Sequence, residues 1–250
     1  MSRDALVVGI STYSYRGLKD LEAPAKDAEA IAQRLESSHS PFKVTRLPAV
    51  KDKENNALKV GKTTKVYLDD LEIALFNLFE PRGGIYTDVG LFYFSGHGLY
   101  NERRREGYLA TYDTNPTAGN WGFPLRTLRD LLQRSPLRKQ IIWLDCCNSG
   151  SLFVLNEANP EYQKDYARCF VTASTDVQNA QELVDGSYGV LTDGLLQGLN
   201  CDRLPGQWIS TGLASLKLWV KVVKFNASIV RRELPLDFHF FPISFFLPVR

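Results

Sequence analysis

Two chemically reactive side chains follow two strongly apolar segments of the chain. His97 lies just after residues 89–94, and Cys147 lies just after residues 140–144. An imidazole can hold a nearby thiol as a thiolate, and a thiolate can attack a carbonyl carbon. The backbone amides of Gly98 and Cys147 lie beside the reacting groups and are the natural donors to the oxyanion that such an attack creates. The pattern therefore predicts nucleophilic catalysis by a cysteine–histidine dyad.

Each member of this dyad also has an ordinary structural interpretation. A single histidine is more often structural than catalytic, and a single cysteine is more often a small buried hydrophobic residue. The other two histidines lie in different contexts, since His39 is in a polar turn and His239 is in an aromatic tail. Spacing alone therefore leaves the catalytic and the structural interpretations of His97 and Cys147 about equally supported.

A dyad of this kind needs two neighbouring parallel strands, and the sequence predicts a fold that supplies them. The two apolar segments lack polar alternation, which is typical of strands buried on both faces of a parallel sheet. Because strands alternate with amphipathic helices, we expect an α/β fold with a mostly parallel central sheet flanked by helices. Ligands of such sheets bind beyond the carboxyl ends of the strands. The strands are predicted at residues 5–10, 43–48, 89–94, 140–144 and 169–173, and the helices at 24–36, 70–79, 125–132 and 190–199.

The segments between and after these elements give fewer predictions. Residues 51–65 are polar and are predicted to be a loop, whereas residues 107–112 are predicted to be extended. Near the end of the chain, residues 211–223 could form a helix and residues 243–247 a final strand. Because the 250 residues contain no internal repeat and no convincing linker, we expect a single domain.

Composition and charge exclude several classes of function. The net charge is only +2, and the three arginines at 103–105 are flanked by glutamates, which is more typical of a solvated loop than of a nucleic-acid site. No apolar run reaches the roughly 18–20 residues of a membrane helix, and the first residues do not resemble a signal peptide. Motifs for nucleotide binding, G-x-G-x-x-G and G-x-x-x-x-G-K-[ST], are absent. We therefore expect a cytoplasmic protein with no nucleic-acid or membrane partner.

The four cysteines are expected to be reduced thiols. Cys146 and Cys147 are adjacent, and neighbours in sequence rarely pair with one another. Their spacing to Cys169 and Cys201 is not that of a secreted disulfide framework. No C-x-x-C motif is present, so the sequence predicts no structural zinc, and we expect neither a metal nor a cofactor.

The residues around the dyad resemble two sequence boxes of the caspase-like cysteine peptidases, in particular of the bacterial metacaspase-type members (orthocaspases). Residues 93–98, Tyr-Phe-Ser-Gly-His-Gly, resemble the Y-x-S-G-H-G box. Residues 145–150, Asp-Cys-Cys-Asn-Ser-Gly, resemble the D-x-C-x-S-G box, with Asn148 where histidine is frequent. Residues 6–28 resemble the first strand and helix of these proteins, and residues 172–196 resemble their smaller subunit. The resemblance covers about residues 5–200 and implies a caspase-like fold.

By matching positions, the resemblance implies a cysteine endopeptidase in which His97 is the general base and acid and Cys147 is the nucleophile. Asp27 and Asp145 match two acids that line the pocket for the residue before the cut, and Glu182 matches a third acid found in some relatives. Two carboxylates select a cationic side chain, and arginine fits them better than lysine because it can bind bidentately. As structural alternatives, Asp27 favours a helix N-terminus, Asp145 caps a turn and Glu182 is solvated surface.

The resemblance also implies how the chain is organised and what it acts on. The single domain, residues 1–250, would comprise a large-subunit-like part at about 1–150, a linker at 151–168 and a small-subunit-like part at about 169–250. Relatives often cut themselves in this linker, where Lys164 and Arg168 are the available basic residues. We expect a monomer that acts on protein or peptide substrates with arginine or lysine before the cut.

Two departures from related patterns bear on function. True caspases cleave after aspartate and carry Q-A-C-x-G around the nucleophile, and residues 144–148 lack that motif, which favours basic specificity. Eukaryotic metacaspases bind calcium through clustered aspartates, and no Asp-Asp run occurs between residues 107 and 130, so calcium activation is not expected. Residues after about 205 match the family poorly. A catalytically silent caspase-like interaction module therefore stays open as the alternative function, although both reactive residues are present.

Overall fold

Short strands alternate with helices along the chain. The structure is a computed structural model, and it describes residues 2–37, 41–81, 83, 86–146, 167–172, 188–199, 209–210 and 246–247. Within these ranges the strands are β1 (Arg3–Gly9), β2 (Lys43–Leu47), β3 (Ala49–Lys51), β4 (Leu58–Val60), β5 (Val89–Ser95), β6 (Gly98–Asn101), β7 (Glu106–Leu109), β8 (Phe123–Pro124), β9 (Lys139–Asp145), β10 (Ala167–Thr172), β11 (Ile209–Ser210) and β12 (Phe246–Leu247). The α-helices are α1 (Pro24–Glu36), α2 (Leu68–Phe79), α3 (Leu125–Arg134) and α4 (Val190–Gly198).

A five-stranded sheet forms the centre of the molecule. Its strand order is β10-β9-β5-β1-β2, and every neighbouring pair is parallel. The predicted α/β fold with a mostly parallel central sheet is therefore confirmed. The two strands that were expected to carry the dyad, β5 and β9, are neighbours whose register runs from Val89 opposite Lys139 to Ser95 opposite Asp145.

Two apolar layers cover the two faces of this sheet. In β5, Phe92 and Phe94 pack with residues of α2 and α3, whereas Leu91 and Tyr93 pack with residues of α1 and α4. Successive side chains of a strand point to opposite faces, so a strand covered by helices on both sides must be apolar throughout. Every residue of β5 is buried, which explains why its sequence lacks polar alternation.

Helix α1 begins where the sequence predicts it. Pro24 stands in its first turn, where the missing backbone N–H costs no hydrogen bond and the ring restricts the backbone to a helical angle. Ala28, Ile31 and Leu35 recur at helical spacing and are buried against the sheet. Asp27 lies in the same first turn, so α1 carries its acidic side chain close to the carboxyl ends of the strands.

The sequence missed most of the short antiparallel strands. Residues 51–65, predicted to be a loop, contain β4, which pairs with β3 in a hairpin. The segment predicted to be extended at 107–112 corresponds to β7, which lies between β6 and β8 in a three-stranded sheet. These strands have two to four residues each, too few for a period-two pattern to stand out.

The structure describes only part of the elements predicted near the end of the chain. The helix predicted at 211–223 lies outside the described residues, and of the strand predicted at 243–247 only β12 is described, paired antiparallel with β11. Strand β10 begins at residue 167, so the last two residues of the predicted 151–168 linker belong to the sheet. None of the helices in the described ranges is long and apolar enough to cross a membrane.

Candidate active site

Strands β1, β5 and β9 end together at one edge of the sheet. Gly9 lies opposite Ser95, and Ser95 lies opposite Asp145. Just beyond the strands, the N–H of Ile10 donates to the carbonyl of Ser95 at 3.0 Å, and the N–H of Gly96 donates to the carbonyl of Asp145 at 3.4 Å. The segments that leave β1, β5 and β9 therefore start side by side.

The backbone of His97 is held from two sides at this edge. Its N–H donates to the hydroxyl of Tyr13 at 2.9 Å, and its carbonyl accepts from the N–H of Ala110 at 2.9 Å. The Tyr13 hydroxyl in turn donates to the carbonyl of Ile10 at 2.8 Å, and the Tyr13 ring lies 4.8 Å from the imidazole between centroids. Burial raises the pKa of Tyr13 well above its usual value, so the hydroxyl keeps its proton and this chain of hydrogen bonds keeps its direction.

The imidazole of His97 is held in one tautomer. Its Nε2 lies 2.8 Å from the carbonyl oxygen of Lys19. A carbonyl oxygen can only accept, so Nε2 carries the proton and Nδ1 is the basic nitrogen of the neutral ring. Burial lowers the pKa of His97 below its usual value, although the Lys19 carbonyl and the charge of Asp20 oppose the shift. The net shift favours the neutral form of the ring, which can act as a base.

The predicted nucleophile, Cys147, lies outside the described residues. Strand β9 ends at Asp145, two residues before it. The intervening Cys146 is fully buried and belongs to the apolar layer formed with α2 and α3. Its thiol therefore occupies a packing position at the variable place of the D-x-C-x-S-G box.

The two predicted pocket acids converge at the first turn of α4. Asp27 and Asp145 are buried, with 1% and 6% of their surface exposed. The N–H of Gly189 lies 3.2 and 3.3 Å from the two carboxylate oxygens of Asp27, and the hydroxyl of Ser95 donates to Asp27 Oδ2 at 3.4 Å. A Cβ atom added to Gly189 would lie 2.6 Å from Asp145 Oδ2 and 3.1 Å from Asp27 Oδ2. The structure thus brings both carboxylates to the same point.

A chain of buried hydroxyls supports one of these carboxylates. The hydroxyl of Thr192 donates to Asp145 Oδ2 at 2.5 Å, and the Thr192 N–H donates to the same oxygen at 3.2 Å. Behind it, the hydroxyl of Tyr93 lies 2.6 Å from that of Thr192. Burial raises the pKa of Asp145, and the two hydrogen bonds from Thr192 oppose that shift because they favour the ionised form.

Two neighbouring carboxylates with little access to water form an unusual electrostatic environment. Both carboxylates accept hydrogen bonds, Asp27 from Gly189 and Asp145 from Thr192. Two like charges buried side by side still raise the electrostatic cost of the ionised pair.

Comparison with known proteins assigns the chain to a family. The family model described as the caspase domain, peptidase C14, matches residues 2–211, which is most of the chain. The chain belongs to the caspase domain family. Membership implies a cysteine-type peptidase that acts on protein substrates.

Solved structures share the caspase fold of this chain. Caspase-1 from Spodoptera frugiperda is 14% identical with a TM-score of 0.53, and the match covers 88% of this chain and 75% of that one. The structure of pro-sf-caspase-1 is 13% identical with a TM-score of 0.51, and the match covers 94% of this chain and 84% of that one. At these identities the likeness shows the fold alone. No curated protein has a significant match to the chain.

Of three other residues predicted for the site of this caspase-family chain, the structure describes only Gly98. Gly98, predicted to be an oxyanion donor, opens β6 directly after His97 and pairs with Leu109. Glu182 and Lys164 lie outside the described residues. Among the described residues, no group of three or more His, Cys, Asp or Glu side chains could hold a metal ion.

The predicted self-cleavage residue Arg168 lies in β10, the edge strand of the central sheet. It is the second residue of β10, and its guanidinium donates to Gln140 Oε1 at 2.8 Å and to the Leu132 carbonyl at 2.8 Å. Peptidases act on segments that can enter their cleft in an extended form, so cutting after Arg168 would require β10 to leave the edge of the sheet.

Sequence reasoning did not identify several residues that hold the site together. Tyr13 and Lys19 contact His97 from the turn-rich segment after β1. Thr192 contacts Asp145 from the first turn of α4, and Gly189, the residue just before α4, contacts Asp27. Tyr93 is predicted from sequence to lie in a buried strand and opens the first sequence box, but the sequence predicts no role for its hydroxyl. A tyrosine on such a strand usually has a hydrogen-bond partner for its hydroxyl, which was the one available indication of a polar contact beneath the site.

Proposed function

We propose that this caspase-family protein is a cysteine endopeptidase of metacaspase or orthocaspase type that cleaves after arginine and, less well, after lysine. The observation that carries the proposal is the convergence of the carboxylates of Asp27 and Asp145 at the sheet edge from which His97 emerges. An acidic pocket beside an imidazole base is what cleavage after a cationic residue requires.

Chain geometry supports Cys147 as the nucleophile. Ser95 and Asp145 lie opposite one another in neighbouring strands, which are about 4.8 Å apart. His97 follows Ser95 by two residues and Cys147 follows Asp145 by two residues, and two residues span at most about 7 Å of extended chain. The segments that carry the imidazole and the thiol thus leave neighbouring strands at the same edge of the sheet, which supports the proposed pairing of His97 with Cys147.

The proposed reaction proceeds through a thioester. Nδ1 of His97 takes the proton of the Cys147 thiol, and the resulting thiolate attacks the carbonyl carbon. A C–S bond forms, and the carbonyl electron pair moves onto oxygen, where the N–H groups of Gly98 and Cys147 stabilise it. As the oxyanion collapses, the C–N bond breaks and His97 gives its proton to the leaving amine. His97 then accepts a proton from water, which attacks the thioester and releases the acid and the thiol.

The acidic pair supports basic specificity. The guanidinium of arginine presents several N–H donors in one plane and can bind a carboxylate through two parallel hydrogen bonds. The ammonium of lysine is a point charge that cannot match two carboxylates in this way, so we expect weaker cleavage after lysine. An aspartyl side chain would be repelled by Asp27 and Asp145, so we do not expect this protein to cleave after aspartate as true caspases do. Glu182 would add a third negative charge to the same pocket.

Self-processing within residues 151–168 is part of the proposal. Of the two basic residues there, Lys164 is the better candidate, because Arg168 is held in β10 by its side-chain hydrogen bonds. Incubation of the purified protein followed by intact-mass analysis should show a cut that is missing from a Cys147→Ala protein. The same cut in the Cys147→Ala protein would mean that another peptidase makes it.

Peptide cleavage tests the proposed function directly. A set of fluorogenic peptides that differ only in the residue before the cut should be cleaved fastest after arginine, more slowly after lysine, slowly but measurably after citrulline, and not after aspartate. Cys147→Ala should abolish cleavage, while Cys146→Ala, which removes the neighbouring buried thiol, should retain it. Preference for aspartate would overturn the pocket assignment.

The same assay separates the peptidase from a catalytically silent interaction module. A folded protein that cleaves none of the four peptides and whose Cys147 is not alkylated by an arginyl electrophile would favour the silent module. Addition of a calcium chelator should leave the cleavage rate unchanged, since the sequence carries no Asp-Asp run between residues 107 and 130. Loss of activity that calcium restores would contradict this part of the proposal.

A further inference from the structure

Thr192 acts on one oxygen of Asp145 only. Its hydroxyl and its backbone N–H both donate to Oδ2, at 2.5 and 3.2 Å. Two donors on one oxygen fix both the position and the rotation of the carboxylate, because rotation about its axis would break at least one bond. The other oxygen, Oδ1, is not engaged by Thr192.

The hydroxyl of Tyr93 completes this arrangement from beneath. Because the single Thr192 hydroxyl proton is donated to Asp145, the 2.6 Å contact between the two hydroxyls requires Tyr93 to be the donor. Tyr93 and Thr192 are both fully buried, so neither hydroxyl can exchange its partner for water. Burial and the nearby charges of Asp145 and Asp27 raise the pKa of Tyr93 well above its usual value, which keeps the phenol as a donor.

Three separate elements therefore converge on one carboxylate. Tyr93 comes from β5, Thr192 from the first turn of α4, and Asp145 from the end of β9. Asp27 faces the same region from α1, where the N–H of Gly189 occupies its oxygens. A carboxylate that must accept two parallel hydrogen bonds from a guanidinium has to be held in a fixed plane, to within about 10–20°.

We propose that Thr192 and Tyr93 are positioning residues that determine specificity for arginine, by holding the Asp145 carboxylate with Oδ2 bound to α4 and Oδ1 directed to the substrate guanidinium. This inference rests on the proposed function. It extends that proposal from the charge of the pocket to the orientation of that charge, and it assigns arginine preference to the first turn of α4.

The Thr192→Val variant tests this inference, since it keeps the shape of the side chain and removes only the hydroxyl. The KM for the arginine peptide should rise about tenfold with little change in kcat. Without the Thr192 hydroxyl, the Asp145 carboxylate is less well oriented and binds the guanidinium less tightly in the ground state and in the transition state alike. The ratio of kcat/KM between the arginine and citrulline peptides should fall by a similar factor. Thr192→Ser, which retains a hydroxyl, should restore most of both values.

The pH profile gives a readout that loss of packing would not change. Removal of the Thr192 hydroxyl takes away a bond that lowers the pKa of Asp145, so the acid limb of kcat/KM for the arginine peptide should move to higher pH. The other groups that face Asp145 are Asp27 from α1 and Tyr93 from β5, and neither is changed in this variant. Tyr93→Phe should shift KM in the same direction by about threefold, because it acts through Thr192.

Ser135→Ala is the matched control. Its buried hydroxyl donates to the carbonyl of Phe79 at 2.6 Å, before the start of β9 and away from the acids. It should lower stability to a similar extent and leave KM and the arginine-to-citrulline ratio unchanged.

The outcomes distinguish this inference from the proposed function. If the unmodified protein prefers arginine and folded Thr192→Val retains its KM and its peptide selectivity, the inference is wrong and the proposed function stands. An equal loss on arginine and citrulline peptides would also refute it, because that result indicates a general structural role for Thr192. If the unmodified protein shows no preference for arginine over citrulline, the proposed function and the inference both fail.

Discussion

Replacement of Gly189 by alanine would place a methyl group between the carboxylates of Asp27 and Asp145, the proposed pocket acids. The new Cβ would lie 2.6 Å from Asp145 Oδ2 and 3.1 Å from Asp27 Oδ2, whereas ordinary contacts begin at 3.4 Å. The backbone itself would not be strained, because Gly189 has φ −59° and ψ 149°, a conformation open to alanine. The effect of the substitution therefore comes from displacement of the carboxylates.

The size of this effect follows from the overlap. Overpacking of a buried site costs about 1–3 kcal/mol, and each kcal/mol lowers the melting temperature by about 2–4 °C in a chain of this length. Under the proposed function these carboxylates bind the substrate guanidinium, so their displacement should lower kcat/KM for the arginine peptide by about 10- to 100-fold, since charge-assisted hydrogen bonds contribute about 1.5–3 kcal/mol. Cleavage should be measured with the arginine and citrulline peptides, and stability by thermal unfolding.

Gly90→Ala provides the control for Gly189→Ala. Its Cβ would lie 2.5 Å from Leu137 Cδ2 and 3.3 Å from Phe79 Cε1, an overlap of similar depth with apolar groups in the sheet core. We expect it to lower the melting temperature without changing the ratio between the two peptides. If Gly189→Ala loses stability but keeps the full arginine preference, the acids near Gly189 do not form the specificity pocket.

Three further perturbations test other parts of the structure. In a Cys147→Ala protein, His97 should titrate below pH 6.5 when its ring protons are followed by NMR, because burial lowers its pKa; titration above pH 7 would contradict this. Tyr13→Phe removes the hydroxyl that holds the His97 backbone, and should lower kcat about tenfold with little change in KM; an unchanged kcat would show that the contact does not position the imidazole. Arg46→Met breaks the largely buried ion pairs of Arg46 with Glu29 and Glu36, and should lower the free energy of unfolding, measured by urea denaturation, by about 2 kcal/mol. Lys59→Met, which breaks an exposed pair, should produce no measurable change, and equal losses in the two variants would refute the distinction.

The central sheet could be predicted from sequence because its strands are long and apolar. Strands β5 and β9 have seven residues each and are buried on both faces, so nothing polar interrupts their pattern. Helix α1 was found with its bounds, since Pro24 marks its start and its apolar residues recur at helical spacing. The hairpin of β3 and β4 was missed because three residues of each strand, mostly exposed, carry no periodic pattern.

The site could be predicted only where a residue carries chemistry of its own. His97 stands out by type and by its place after a strand, whereas Asp27 and Asp145 were predicted only because they match positions in the sequence boxes of the family. Thr192 could not be recognised in this way, because a threonine in a helix has many uses and its partner lies 47 residues away in the chain. Its role is a property of how α4 packs against β9, and local patterns contain no information on that packing.

Covalent labelling is the most direct test of the central claim, that a thiol and an imidazole act together beside an acidic pocket. The protein would be treated with an arginyl chloromethyl ketone peptide, and the modified residue located by peptide mass spectrometry. We expect an adduct on Cys147 and none on Cys146, formed much more slowly in a His97→Ala protein. Equal labelling by an aspartyl reagent, or a rate that does not depend on His97, would contradict the account.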